Sequence, residues 1–166
     1  MPERVRLLGD TWPMEGYDDT TYGERFAEVY DDWYGSITDT LACVDAIVAL
    51  SGGRNGGGNI LELGVGTGRL AIPLTELGMR VTGVDSSAAM LERLRTKPGG
   101  ERVTAVLGDM TDPPVPAKAF AVAFVAYNTL FNLVGPGQQQ RCVTNTASRL
   151  EPGGARYETV GRVPLH

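Results

Sequence analysis

Apolar and polar positions along the chain follow two rhythms. Tyr22, Phe26, Val29 and Trp33 recur at i, i+4, i+7 and i+11, and Ile37, Leu41, Val44 and Val48 repeat that spacing. The spacing is helical, and it predicts two amphipathic helices over 21–34 and 37–50. The stretch SGGRNGGG (51–58) then breaks the pattern as a glycine-rich linker. Beyond it, short apolar runs alternate with helical spacing. Strands are predicted at 59–64, 80–85, 103–108, 120–127 and 155–160, with helices at 67–78, 86–97 and 137–150. Runs such as FAVAFVAY (120–127) are apolar on both faces, as parallel strands covered on both sides should be. In SRLEPGG (148–154), Pro152 and the glycines end the last helix.

This alternation implies an α/β fold, a doubly wound and mostly parallel sheet. It also divides the chain into a helical segment over 1–50, the linker over 51–58 and an α/β unit over 59–166, together one structural domain. One link departs from the pattern. Only DMTDPPVPAKA (109–119) joins the third and fourth strands, and Pro113, Pro114 and Pro116 forbid a regular helix there. The expected connection is a loop crossover.

Composition narrows the function classes. The chain has 166 residues and 42% apolar content, enough for one globular domain with a real core. Its formal charge of −5 argues against broad binding of nucleic-acid backbones, which needs a basic face. The longest apolar segment, Ala119 to Val134, is interrupted by Asn128, Thr129 and Asn132 and is not read as a membrane span. No stretch reads as a secretory leader, so the expected location is cytoplasmic. Cys43 and Cys142 fit neither a disulfide framework nor a metal site, and His166 is the one histidine. Histidine-based triads and metal sites are therefore not expected.

The candidate chemistry gathers where the strands end. ILELGVGTGRLAIPL (60–74) places Gly64, Gly66 and Gly68 between an apolar strand and a helix, with Glu62 just before them. Glycines there allow a sharp turn and a close backbone approach. A dinucleotide fingerprint would place its third glycine at Arg69, and a phosphate P-loop would need a later Gly-Lys-Ser/Thr. The spacing disfavours both. Asp85 ends the second strand and can accept hydrogen bonds from ribose hydroxyls. Ser86 and Ser87 follow it as N-cap candidates. Asp109 and Met110 end the third strand; an acid, an N–H and an apolar side chain together suit an adenine, although Asp109 also reads as a turn residue. Tyr127 and Asn128 end the fourth strand and face the same cleft.

Taken together, ELGVGTGRL, VTGVDSS, LGDM, FVAYNTLFNL and RLEPGG resemble a class I S-adenosylmethionine-dependent methyltransferase of the bacterial small-molecule type. The resemblance covers about residues 22–158 and implies a Rossmann-like methyltransferase fold. It implies Glu62, Gly64, Gly66 and Gly68 around the methionine moiety, Asp85 and Ser86 at the ribose, and Asp109 with Met110 at the adenine. Asn128 would border the methyl group, with Tyr127 beside it on the acceptor side. The N-terminal segment would be a helical lid, from which Tyr22, Tyr30 or Tyr34 closes over the cofactor. Tyr127, Asp31 and Asp32 are the candidate bases for a hydroxyl acceptor; the two acids also read as a solvated helix face. The family's sheet has two further strands, an antiparallel pair beside strand five. The sequence after Gly154 has room for strand five alone, so five strands are expected, with an exposed edge that invites a homodimer. The leading expectation is transfer of a methyl group to a small-molecule nitrogen or oxygen. A module that binds S-adenosylmethionine with little catalysis, and a nicotinamide-dependent oxidoreductase, are the alternatives.

Overall fold

Residues 60–63 and 120–125, apolar except for Glu62, are buried on both sides and become the two central strands of the sheet. The computed structural model describes residues 40–53 and 57–158. The predicted helix over 21–34 and the lid tyrosines Tyr22, Tyr30 and Tyr34 lie outside them, as do Asp31, Asp32 and residues 54–56 of the linker. The described elements run α1 (Thr40–Leu50), β1 (Ile60–Leu63), α2 (Ala71–Glu76), β2 (Val81–Asp85), α3 (Ala88–Thr96), β3 (Thr104–Leu107), β4 (Phe120–Val125), α4 (Gln138–Ala147) and β5 (Leu150–Glu158). Short 3-10 turns lie at Gly100–Arg102 and Thr129–Asn132.

The five strands pair in the order β3-β2-β1-β4-β5, and every pairing is parallel. Alternate side chains feed two cores. Ile60, Val122 and Phe124 join the buried residues of α1, α2 and α3 on one face. Leu61, Leu63, Ala123 and Val125 join Met110, Leu130, Leu133 and Cys142 of α4 on the other. Period two thus divides each central strand between two helical layers. The sheet is doubly wound, and β1 and β4 meet where the strand order turns.

Three boundaries move for local reasons. The helix expected from residue 67 begins at Ala71, because Gly68 is left-handed at φ +83° and still belongs to the turn. Pro73 is tolerated in the first turn of α2, where its absent N–H has no helical partner. The helix expected to reach residue 150 stops at Ala147, and β5 starts at Leu150 rather than 155. Pro152 and Gly153 (φ +85°) sit inside the irregularity where Phe120 pairs with Leu150 but Val122 pairs with Ala155. Proline lacks a ladder donor, and a bulge accommodates it. The connection from β3 to β4 contains no helix, as its prolines require.

Candidate functional site

The carboxyl ends of β1, β2 and β4 converge at this reversal, where open α/β sheets place their ligands. The backbone brings them level. Leu63 pairs with Val84 on one side and with Val125 on the other. Gly64 and Ala126 therefore leave the sheet level with Asp85, the last residue of β2.

The three glycines of the β1 loop are left-handed, at φ +69°, +55° and +83° for Gly64, Gly66 and Gly68, but their surroundings differ. A Cβ on Gly64 would overlap the methyl of Thr129, and one on Gly68 would press on Leu94 and Ile72 at 3.1–3.2 Å. A Cβ on Gly66 would meet nothing within 4 Å. Gly64 and Gly68 are small because the protein packs against them, whereas Gly66 faces open space.

Asp85 orders this loop. The main-chain N–H of Gly66 donates to its Oδ2 at 2.8 Å, and that of Ser87 donates to Oδ1 at 2.9 Å. A carboxylate offers about four acceptor positions, so one that orders two amides can also accept from a ligand's hydroxyls. Of the two serines, Ser87 caps α3, its Oγ accepting from the N–H of Met90 at 3.3 Å. Ser86 is half-buried beside Asp85.

Glu62 is buried within β1. It is 4% exposed, and its Oε2 has no hydrogen-bond partner. Burial pushes its carboxyl well above the usual glutamate range. The charge of Arg69 and the N–H of Ala71 oppose that shift, and the charge of Asp85 adds to it. A buried carboxylate oxygen without a donor is costly, and a cationic ligand group would complete it.

The adenine candidates sit differently. Asp109 is exposed, its Oδ1 accepting from the N–H of Thr111 at 2.7 Å and its Oδ2 from the Thr111 hydroxyl at 2.6 Å. In this structure it shapes the turn, and Met110 packs into the second core. Tyr127 and Asn128 leave β4 in left-handed conformations, Tyr127 half-buried and Asn128 exposed.

Three contributors were not singled out in the sequence. The Arg69 guanidinium lies 4.0 Å from the centroid of the Tyr127 ring. Lys97 Nζ donates to the hydroxyl of buried Thr67, between Gly66 and Gly68, at 2.9 Å. Thr129 fills the space beside Gly64. A cation after the third glycine and an aromatic after β4 were the available signal for the first. For the others, only the fold brings the partners together. At the opposite, amino end of the strands an open pocket of about 490 Å³ is lined by residues including Arg80, Thr82, Arg102 and Thr104. It shares no residue with the glycine loop. No group of three or more metal-ligating side chains occurs among the described residues, and no helix among them is long and apolar enough to cross a membrane.

Comparison with known proteins agrees with this geometry. Residues 60–154, more than half of the chain, match a family described as a methyltransferase domain. The cypemycin N-terminal methyltransferase of a Streptomyces species is 31% identical over 142 residues, covering 84% of this chain and 56% of that protein. The CcbJ methyltransferase of Streptomyces caelestis superposes with a TM-score of 0.76 at 41% identity, over 86% of this chain and 58% of that one. The glycopeptide N-methyltransferase MtfA, whose crystal structure holds S-adenosyl-L-methionine, gives 0.62 at 25% identity, over 74% of this chain and 55% of that one. The chain thus spans a little over half the length of these three relatives.

Proposed function

The chain belongs to the class I S-adenosylmethionine-dependent methyltransferase family, and from that premise we propose that it moves a methyl group from S-adenosylmethionine to a small-molecule or peptide amine. The observation that carries the reading is the unfilled space at Gly66, beside the Asp85 carboxylate that accepts its N–H, together with the buried and unpartnered Oε2 of Glu62 in β1. S-adenosylmethionine, when bound, supplies an electrophilic methyl group on a sulfonium.

The residues present fit that donor. Gly66 admits it at backbone distance, with Gly64 and Gly68 shaping the turn. Glu62 Oε2 takes the α-ammonium group, which favours the ionised form that burial disfavours. Asp85, flanked by Ser86, accepts from the ribose hydroxyls. Asp109 and Met110 border the adenine, for which the Asp109 carboxylate has to turn from Thr111. Tyr22 and Tyr30 are the proposed lid residues. Tyr127 and Asn128 line the acceptor side, where they exclude water and orient the nucleophile. A sulfonium departs as a neutral thioether, so its departure requires no acid, and alignment with desolvation carries the rate. An amine acceptor needs only to arrive neutral, which suits a cleft with no histidine among the described residues. The glycopeptide N-methyltransferase among the relatives, with the N-terminal methyltransferase of cypemycin, favours nitrogen over oxygen. A second copy adding a strand at the outer edge of β5 is the proposed assembly, and sedimentation at rising concentration tests it.

Calorimetry with S-adenosylmethionine and with NADH tests the donor. Heat with the first and none with the second is expected; the reverse would sink the reading. Asp85→Ala should weaken donor binding by roughly 1–3 kcal/mol. Labelled S-adenosylmethionine offered with pooled amine and hydroxyl acceptors tests transfer. No label moved by a chain that binds the donor would leave a binding module instead.

A further inference from the structure

The turn that leaves β4 runs against its own residue types. Tyr127 and Asn128 have φ of +51° and +61°, and the N–H of Thr129 donates to the carbonyl of Ala126 at 3.2 Å. Two left-handed central residues closed by that bond make a type I′ turn, a turn that favours Asn-Gly. Asparagine tolerates the conformation, but a bulky aromatic at the first position does not adopt it unaided. Such strain persists where surrounding structure over-determines it. Two contacts reach the turn from the β1 loop. The methyl of Thr129 sits against Gly64, and the Arg69 guanidinium stacks on the Tyr127 ring at 4.0 Å.

We propose that Arg69 is a positioning residue: stacked on Tyr127, it holds the left-handed turn closed and so fixes Asn128 at the acceptor side of the cleft. The inference rests on the donor-cleft reading above and adds to it a residue that acts through its neighbour. A guanidinium is suited to this task, since its planar face lies flat on a ring while its charge stays toward the polar cleft.

Hydrogen exchange followed by NMR on the intact chain tests it. In Arg69→Met the Thr129 amide should exchange about tenfold faster, with the sheet amides of Ile60 and Ala121 unchanged. Adding Tyr127→Gly, which relieves the strain where it arises, should restore Thr129 protection, because glycine adopts positive φ freely. In Arg69→Met, transfer at saturating donor should fall at least about tenfold; donor affinity falls as well, because the Arg69 charge favours the ionised Glu62 that takes the ammonium. Unchanged Thr129 exchange overturns the proposal. So does unchanged transfer despite faster exchange, which would make the stack structural only. Should Arg69→Met not fold, Tyr127→Leu removes the same stack from the other side and is read by the same outcomes. Calorimetry of the parent chain with S-adenosylhomocysteine separates the two readings. Absence of binding there sinks the donor cleft, whereas binding with unaltered Thr129 exchange sinks only the role of Arg69.

Discussion

Gly64, Gly66 and Gly68 read alike in sequence and differ in what surrounds them. Their positive φ makes any L side chain costly, by about 1–2 kcal/mol. Beyond that shared cost, Gly64→Ala must displace Thr129, while Gly66→Ala displaces nothing in the protein. Urea unfolding should therefore show Gly64→Ala to be the more destabilised, with Thr129→Ser recovering the overlap but not the backbone cost. Calorimetry should show the larger loss of donor affinity in Gly66→Ala, and larger still in Gly66→Val. The glycine spacing was legible because a turn is local. The division of labour among the three was not, because Thr129 arrives from the 3-10 turn after β4.

Glu62 carries a second residue-scale prediction, and its sign follows from linkage. Its folded-state pKa lies above its unfolded value, so between the two the folded chain binds more protons than the unfolded one. Stability then falls as pH rises through that interval, from about pH 4 upward. Glu62→Gln removes the ionisation and nearly keeps the shape. The variant should match the parent in thermal midpoint near pH 4 and exceed it at pH 7, while binding donor more weakly at pH 7. A parent advantage in stability at pH 7 would show that Glu62 is ionised and satisfied in the unliganded fold.

Among the elements, β1 and β4 were readable because burial on both faces leaves nearly continuous apolar runs. The start of β5 was not. Leu150 is in sheet rather than helix because pairing with Phe120 outweighs local helical spacing, and the bulge absorbs Pro152. The crossover at 109–119 was readable from its prolines alone. Element packing also gives Gly83, in the middle of β2, a role that β propensity does not suggest. A Cβ there would lie 2.5–2.8 Å from the side chain of Val65, the residue between Gly64 and Gly66. Gly83→Ala should push the glycine loop off the sheet and weaken its hydrogen bonds to Val84 and Asp85. We expect about 1–3 kcal/mol lost from stability, with a matching loss of donor affinity. Val65→Ala in the same chain should return part of both, whereas a loss of stability alone would mean the loop does not shape the donor site.

At the scale of the whole molecule, the two ends of the sheet have different chemistry. The carboxyl ends gather Glu62, Asp85 and an open glycine turn, suited to a donor bearing an ammonium and a sulfonium. The amino ends carry Arg80 and Arg102 around a separate pocket. A ligand that binds the folded state alone stabilises it by mass action, by about 2.7 kcal/mol at a hundredfold excess over Kd. For a domain of this size that corresponds to roughly 5–10 °C in Tm. S-adenosylhomocysteine should therefore raise Tm by about that much in the parent chain and in Arg102→Ala, and by clearly less in Asp85→Ala. A shift lost in Arg102→Ala but kept in Asp85→Ala would move the donor to the amino end of the strands. That outcome would contradict the rule that open α/β sheets bind at their carboxyl ends. The comparison also separates fold damage from site damage, because each variant's own unliganded Tm is its reference.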